Sequence, residues 1–526
     1  VSAAVLASRV LGVARDALFA AAFGVSALTD AYVVAFRIPN LLRDLFAEGA
    51  LSSAFVPTFT EALANGGRER AYRLGNLVLS ALLIVTGALT IAGIVYAEPV
   101  VSLLSRGFEG NASKLADAAV LARVMMPILL LVSVSAAWMG MLNAQQRYAA
   151  PALAPALFNV TSIVFGVGIL ALGHRLGERQ ALLVWSVGTT LSGVVQGLVQ
   201  LPSLWRLGYR PRLALRGMLS DPDLARIVRL MGPATVGLAA IQFNVFINTQ
   251  FAAALGDGPL TYLNNAFRLF YLPIGLFGVA LATVTTARAS ADAARGDRPA
   301  LIERVEEGAR GVWLLALPSA VGLIVLAEPV VTLLFQRGRF LAVDTAATVP
   351  VVQAYMVGVL PYSVVKVLSP AFFAVDHPRL PMLASMCAVA ANVTFNALTY
   401  RILGAPGLAL GTTLAAGVNL LILRIAFRRV IGRPQKTHGG RERLLVVVAT
   451  AALAVVAAGG WRLASHALGA VAASTPRAVG TARAGLLLAT IAASFIAYAA
   501  ALRMLGHPAA RELWQLPGKV LRRMRP

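Results

Sequence analysis

Five arginines sit inside long apolar stretches of this chain, and four of them fall within its first 43 residues. Arg9 and Arg15 lie in the opening stretch Ser8-Arg9-Val10-Leu11-Gly12-Val13-Ala14-Arg15-Asp16-Ala17, Arg37 and Arg43 in the next, and Arg268 far downstream. A guanidinium at membrane depth costs roughly 3 kcal/mol on insertion scales, and arginine cannot escape that cost by deprotonating. Such groups face a wet cavity or a counter-charge, and they point to an anionic ligand. In a helix Arg9 and Asp16, seven apart, share a face, while Arg15 points roughly 120° away from Arg9. Asp30 and Arg37 repeat the spacing. Pro39 then interrupts the hydrogen-bond ladder, and Asn40, Arg43, Asp44 and Glu48 follow. One reading is a cationic pocket tuned by internal carboxylates. The alternative is that these charges pair only with one another or snorkel to the membrane surface.

Arg268, in Asn264-Asn265-Ala266-Phe267-Arg268-Leu269, has no acidic residue within a helical turn in sequence, so its partner must come from another helix or from a ligand. Guanidinium groups converging on one cavity would suit a diphosphate, whose oxygens they bind in pairs. Lys366, within Val364-Val365-Lys366-Val367-Leu368, either contacts such a ligand or snorkels. Asn248, Asn392 and Asn396 could line a weak cation site or, as commonly in apolar helices, join helices by hydrogen bonds. Asp292, Asp297, Glu303, Glu306 and Glu307 are interspersed with arginines and read as a solvated amphipathic helix. No Walker A loop, nucleophile triad or polar loop with paired carboxylates is present, so ATP hydrolysis and glycosyl transfer are not expected. No metal or other cofactor is expected. The five histidines do not cluster, and the single cysteine, Cys387, lies in an apolar segment.

The elements that must hold these groups are membrane helices. The chain is 58% hydrophobic and 13% charged, with mean hydropathy +0.75, against about 25% charged residues in a soluble domain. Apolar runs of about 20 residues recur to the end. Fourteen spans are expected, near 2–24, 28–57, 74–97, 117–143, 151–173, 180–204, 226–253, 260–287, 310–335, 345–375, 380–400, 405–427, 444–463 and 483–505. The net charge of +23 reads as a topology signal, with no nucleic-acid partner implied. Arginines crowd the 2–3, 6–7, 8–9 and 12–13 loops and the tail, while the 1–2 and 7–8 loops carry no Lys or Arg. Both termini are therefore expected in the cytoplasm. The opening segment, with two arginines and an aspartate, does not read as a cleavable signal peptide.

A repeat gives the architecture. Ala97-Glu98-Pro99-Val100-Val101-Ser102-Leu103-Leu104 recurs as Ala327-Glu328-Pro329-Val330-Val331-Thr332-Leu333-Leu334, seven of eight positions matching at a spacing of 230. Ala35-Phe36-Arg37 meets Ala266-Phe267-Arg268 at nearly the same spacing, and Pro151 meets Pro381. Six spans per unit is an even number, so both halves enter the membrane the same way, related by an axis along its normal with the substrate path between them. The expected divisions are 1–206 and 224–430 for the two lobes, 442–505 for an additional helix pair, and 506–526 for a basic tail.

Several motifs resemble one family. Ser8-Arg9-Val10-Leu11-Gly12 with Ala14-Arg15-Asp16, Thr29-Asp30-Ala31, Pro39-Asn40-Leu41-Leu42-Arg43 and Phe46-Ala47-Glu48-Gly49-Ala50 resemble the N-terminal signature of the MurJ (MviN) lipid II flippases. The likeness continues through Phe55-Val56-Pro57, Met231-Gly232-Pro233, Ile247-Asn248-Thr249, Leu317-Pro318-Ser319-Ala320 and Val365-Lys366-Val367-Leu368. The resemblance implies the fold of the multidrug/oligosaccharidyl-lipid/polysaccharide exporter superfamily, with two extra helices forming a groove for a lipid tail. It implies a transporter, not an enzyme, moving undecaprenyl-diphosphate-linked disaccharide-pentapeptide from the inner to the outer leaflet of the bacterial cytoplasmic membrane. Arg15, Arg43 and Arg268 fall where the family has its cavity arginines, and Arg9, Asp30 and Glu48 at sensitive positions. Two departures stand out. Phe267 replaces an acidic residue that some members have, and Asn248, Asn392 and Asn396 occupy regions where some members have sodium-binding aspartates. Membrane potential or another ion gradient is then the expected driving force. The chain is expected to be monomeric, with cell-wall synthesis proteins as possible partners. Competing readings are a sister exporter of another polyprenyl-linked glycan or a drug, and a membrane scaffold for cell-wall enzymes.

Overall fold

The computed structural model describes residues 2–45, 50–108, 110–172, 175–433, 439–471 and 476–510. No strand occurs among them. The first half contains α1 (Ser2–Phe23), α2 (Ala27–Arg43), α3 (Ala50–Val95), α4 (Ala97–Leu104), α5 (Ala112–Met125), α6 (Pro127–Ala144), α7 (Ala149–Leu172), α8 (Glu178–Leu198) and α9 (Leu201–Arg206). The second contains α10 (Pro222–Ala253), α11 (Pro259–Pro273), α12 (Val279–Ala294), α13 (Arg298–Val325), α14 (Ala327–Phe335), α15 (Ala342–Val357), α16 (Val359–Ala374) and α17 (Arg379–Ala426). α18 (Gly439–Val471) and α19 (Pro476–Met504) follow.

Ten helical stretches among the described residues are long and apolar enough to cross a membrane. α1 and α2 are not among them: every 18-residue window of α1 holds Arg9, Arg15 and Asp16, and α2 has only 17 residues. α17 is two helices run together across Gly404, whose φ of 58° is left-handed and suits a residue without Cβ. Dividing it there and adding α1, α2 and α10 is compatible with fourteen spans. α2 continues through Pro39 to Arg43. In α11 the proline falls at the last residue, and a π turn over Ile274–Gly278 carries the chain into α12.

Local signals set the helix starts. Ser26 and Thr29 form a reciprocal capping box at α2. Asn111 Oδ1 accepts from the Lys114 amide at α5, and Asp221 and Asp297 cap α10 and α13, each with proline in the first turn. The repeat appears as architecture. The matched Ala-Glu-Pro-Val-Val segments form the short helices α4 and α14, each after a long helix. Each is followed by an interrupted pair, α5–α6 broken before Pro127 and α15–α16 broken at Gly358.

Two compact units emerge: 1–264 with 335–344, and 265–334 with 345–526. In the first, α3, α6 and α10 enclose a core with Phe55, Phe59, Leu74, Met141, Tyr209 and Ile227 at its centre. The 335–344 segment joins this unit through the Arg339 amide, which donates to the Ala21 carbonyl at 2.9 Å, and through an Arg339–Glu178 ion pair. In the second, α18 and α19 pack along each other and onto α13, where Tyr498 donates to the Leu314 carbonyl at 2.7 Å. Cys387 on α17 is exposed.

The acidic residues near α12 and α13 depart from expectation. Asp297, Glu303 and Glu307 are exposed, but Asp292 and Glu306 are buried. Glu306 is drawn inward by Arg424 of α17 at 2.5 Å and Arg443 of α18 at 3.5 Å, and Asp292 pairs with Arg295 and Arg304. A buried carboxylate requires such partners. The periodicity of one helix carries no trace of cations supplied by others.

Candidate functional site

Arg15 lies in α1 with its side chain 13% exposed. Its Nε and Nη2 both donate to Asp16 Oδ1, at 3.1 and 2.8 Å, and its Nη1 donates to Asn159 Oδ1 of α7 at 3.0 Å. Asn159 Nδ2 in turn donates to the Ser8 carbonyl at 2.9 Å, so α7 fixes both the guanidinium and the helix that carries it. The Phe158 ring lies 5.9 Å from the guanidinium carbon. Asp16 thus serves Arg15, its neighbour, although heptad spacing had offered it Arg9. Arg9 is half-buried.

Arg43, at the end of α2, repeats this arrangement. Its Nε and Nη2 donate to Asp44 Oδ1 at 3.3 and 2.9 Å, and Gln242 of α10 holds the other carboxylate oxygen at 3.1 Å. In both places the aspartate one residue on engages the same edge of the guanidinium. Asn40, one turn before Arg43, is half-buried, and its Oδ1 is shielded from solvent. Glu48 lies outside the described residues.

Asp30 behaves differently. It is fully buried, and so is Lys114, whose Nζ lies 3.3 Å from Asp30 Oδ2 and 2.7 Å from Asp257 Oδ1. The Lys114 ammonium also stands 4.2 Å from the centre of the Phe108 ring. Asp30 Oδ2 accepts from the Gly258 amide at 2.7 Å; Oδ1 accepts from the Thr261 amide at 2.9 Å and its hydroxyl at 2.7 Å. Gly258 and Thr261 flank the start of α11, where amides have no partner within the helix. A carboxylate there also meets the positive end of the helix dipole. Asp30 therefore caps α11 from α2 while neutralising a lysine from α5. Helical spacing had offered Asp30 to Arg37; the structure gives it Lys114, and Arg37 donates to Thr249 of α10 at 2.5 Å. Sequence reasoning missed Lys114, Asp257 and Thr261. The available signals were a lysine just before an expected span and an aspartate, Asp257, in the 7–8 loop, which carries no Lys or Arg.

The second unit holds most of the remaining candidates. Arg268 is half-buried on α11. Phe267, Phe270 and Tyr271 of the same helix pack with Tyr355 and Tyr362, and the two tyrosine hydroxyls of Tyr271 and Tyr362 are 3.3 Å apart. Lys366 is exposed, one turn beyond Tyr362, with its ammonium 5.4 Å from that ring's centre. Asn392 and Asn396 are buried and joined to each other, Asn396 Nδ2 donating to Asn392 Oδ1 at 2.8 Å. Asn396 also packs tightly against Gly411, leaving no room there for a Cβ. Asn248, half-buried on α10, belongs to the first unit. No cluster of three or more His, Cys, Asp or Glu that could hold a metal occurs among the described residues.

Known proteins resemble this chain along most of its length. The profile of the family described as "Lipid II flippase MurJ" matches residues 19–477. A "Probable lipid II flippase MurJ" of Bdellovibrio bacteriovorus is 35% identical over 420 residues, covering 80% of this chain and 79% of its own. A "Lipid II flippase MurJ" of Burkholderia cenocepacia is 34% identical over 434 residues, covering 82% and 83%. Among solved structures, a lipid II flippase MurJ in an inward closed conformation superimposes with TM-score 0.77 at 23% identity, covering 96% of this chain and 99% of that one. An inward-facing MATE transporter of the MOP superfamily gives TM-score 0.67 at 19% identity, covering 81% and 94%. Family profile and curated relatives agree along most of the sequence, and the chain belongs to the lipid II flippase MurJ family.

Proposed function

We infer that this multi-pass membrane protein is a transporter that moves lipid II across the bacterial inner membrane, from the inner to the outer leaflet. Membership of the family carries the reading, and the arginines supply its chemistry. Arg15 and Arg43 are each engaged along one edge by the following aspartate. That pairing keeps a guanidinium tolerable in a low-dielectric setting when no ligand is present. A diphosphate offers oxygens at the spacing a guanidinium prefers and can take over from a monodentate carboxylate. Arg268 supplies a third cation and Arg9 a fourth, with Asn40, Arg37, Glu48 and Lys366 in support. The transporter cycles by alternating access: the headgroup enters a hydrated cavity, charge neutralisation favours closure, and the cavity then opens to the other side. α18 and α19 flank the lipid tail. Both termini lie in the cytoplasm, and membrane potential or an ion gradient drives the cycle, with the asparagines Asn248, Asn392 and Asn396 a weak cation site at most.

The test is complementation of a strain depleted of its own lipid II flippase. The wild-type chain is expected to restore growth, and Arg43→Ala and Arg268→Ala to fail while reaching the membrane at normal levels. Growth supported by either variant at normal expression would remove that arginine from diphosphate binding. Failure of the wild-type chain, with folded protein in the membrane, would count against lipid II as its substrate.

A further inference from the structure

The connection between α9 and α10 is anchored to the first unit and ends beside an apolar groove. The Tyr72 hydroxyl donates to the Leu207 carbonyl at 2.7 Å. Asn76 Oδ1 accepts from the Tyr209 hydroxyl at 2.7 Å and from the Arg212 amide at 3.0 Å. Ser80 Oγ accepts from the Ala214 amide at 2.8 Å. Burial pushes the Tyr209 phenol up, which keeps it a donor. One face of α3 thus holds residues 207–214 in place.

This segment presents an unusual surface. Residues 206–219 contain four arginines and no acid. Arg206, Arg210, Arg212 and Arg216 are all exposed. Between them Leu213, Leu215 and Leu219 are 70%, 59% and 96% exposed, and Trp205 is half-exposed beneath the Arg210 guanidinium. Exposed leucines alternating with arginines suit the boundary between acyl chains and phosphates, where each finds its own phase.

Beside it lies a cavity of about 360 Å³ walled by Leu79 and Leu83 of α3, Val134 and Trp138 of α6, and Gly193 and Gly197 of α8. Arg212 supplies the charged group of its lining. The two glycines open the wall, since a Cβ at either would meet only ordinary contacts at 3.4 Å. The Trp138 indole N–H, a buried donor, has no acceptor among the described residues.

We propose that this groove is a binding site for one anionic phospholipid, with an acyl chain between α3, α6 and α8 and its phosphate on Arg210 and Arg212. Charge complementarity selects an anionic headgroup over a neutral one. The groove, about 360 Å³, takes part of one acyl chain. The site is independent of what the chain transports and rests only on its place in a membrane.

Quenching of Trp138 fluorescence by chain-brominated phosphatidylglycerol tests the proposal, read as the difference between the full-length protein and Trp138→Phe. Half-maximal quenching is expected at a concentration about tenfold lower than for brominated phosphatidylcholine. Arg210→Gln with Arg212→Gln should erase that preference; the Arg212 amide keeps its bond to Asn76, so the segment stays in place. Gly197→Leu should abolish quenching by filling the groove. Equal quenching by both lipids, or an unchanged phosphatidylglycerol titration in the double arginine variant, would overturn the proposal. So would displacement of phosphatidylglycerol by a lower concentration of polyprenyl diphosphate, which would assign the groove to that lipid.

Discussion

Asp30–Lys114 and Arg15–Asp16 are both ion pairs of the first unit, yet they are built for different purposes. At Asp30 both charges are completely enclosed, and both carboxylate oxygens are taken by groups of two distant segments, α5 and the start of α11. At Arg15 and Arg43 the carboxylate comes from the next residue and engages one edge of the guanidinium, and the side chains keep 13% and 27% of their exposure. A pair whose partners come from distant segments holds those segments together. A pair whose partners are sequence neighbours adds no link of its own between distant segments, and its cation can exchange that carboxylate while contacts such as Arg15–Asn159 remain.

The difference predicts opposite patterns of damage. Lys114→Met leaves Asp30 buried without its cation and is expected to destabilise the protein by about 3–5 kcal/mol, measured by thermal or denaturant unfolding in detergent. Adding Asp30→Asn to that variant should recover part of the loss, because asparagine still accepts from α11 without carrying charge. If the double variant is less stable than Lys114→Met, the carboxylate matters for more than balancing the lysine. Next in size, Asn159→Ala removes a hydrogen bond to a charged group at Arg15, and about 1.5 kcal/mol should be lost, together with a partial defect in complementation. Arg43→Ala should shift unfolding by less than about 1 kcal/mol while abolishing growth. A large stability loss there would make Arg43 a structural residue and erase the contrast. The smallest effect belongs to Arg70→Ala. Its pair with Asp223 is half-exposed, and unfolding should move by no more than about 0.5 kcal/mol, with dependence on salt.

These two kinds of pair also differ in how legible they are in sequence. Arginine in an apolar run is conspicuous because hydropathy is a one-dimensional property, and Arg15, Arg37, Arg43 and Arg268 could be singled out that way. The helices and the repeat were readable for the same reason: α4 and α14 carry nearly the same eight residues. Asp30 was visible as a charge, but its partners lie 84 and 231 residues away. Helical spacing could offer only Arg37, a candidate one or two turns along the same helix. Glu306 failed in the same way. Its surroundings suggested a solvated helix, and its burial follows from Arg424 and Arg443, on helices that sequence order does not bring near. Patterns within one helix reveal what a residue must avoid; they do not name the group on another helix that satisfies it.

Cys387 gives the protein a practical property of its own. It is the only thiol in the chain and it is exposed on α17, so a single reagent molecule per polypeptide can be attached without engineering. Because its helix is apolar, a membrane-permeant maleimide should react where a sulfonated one does not, turning one native side chain into a gauge of how deeply α17 sits. One substitution, Cys387→Ser, then yields a thiol-free background. In it, cysteines placed at chosen pairs of positions can be read by crosslinking or by spin labels, free of any native signal.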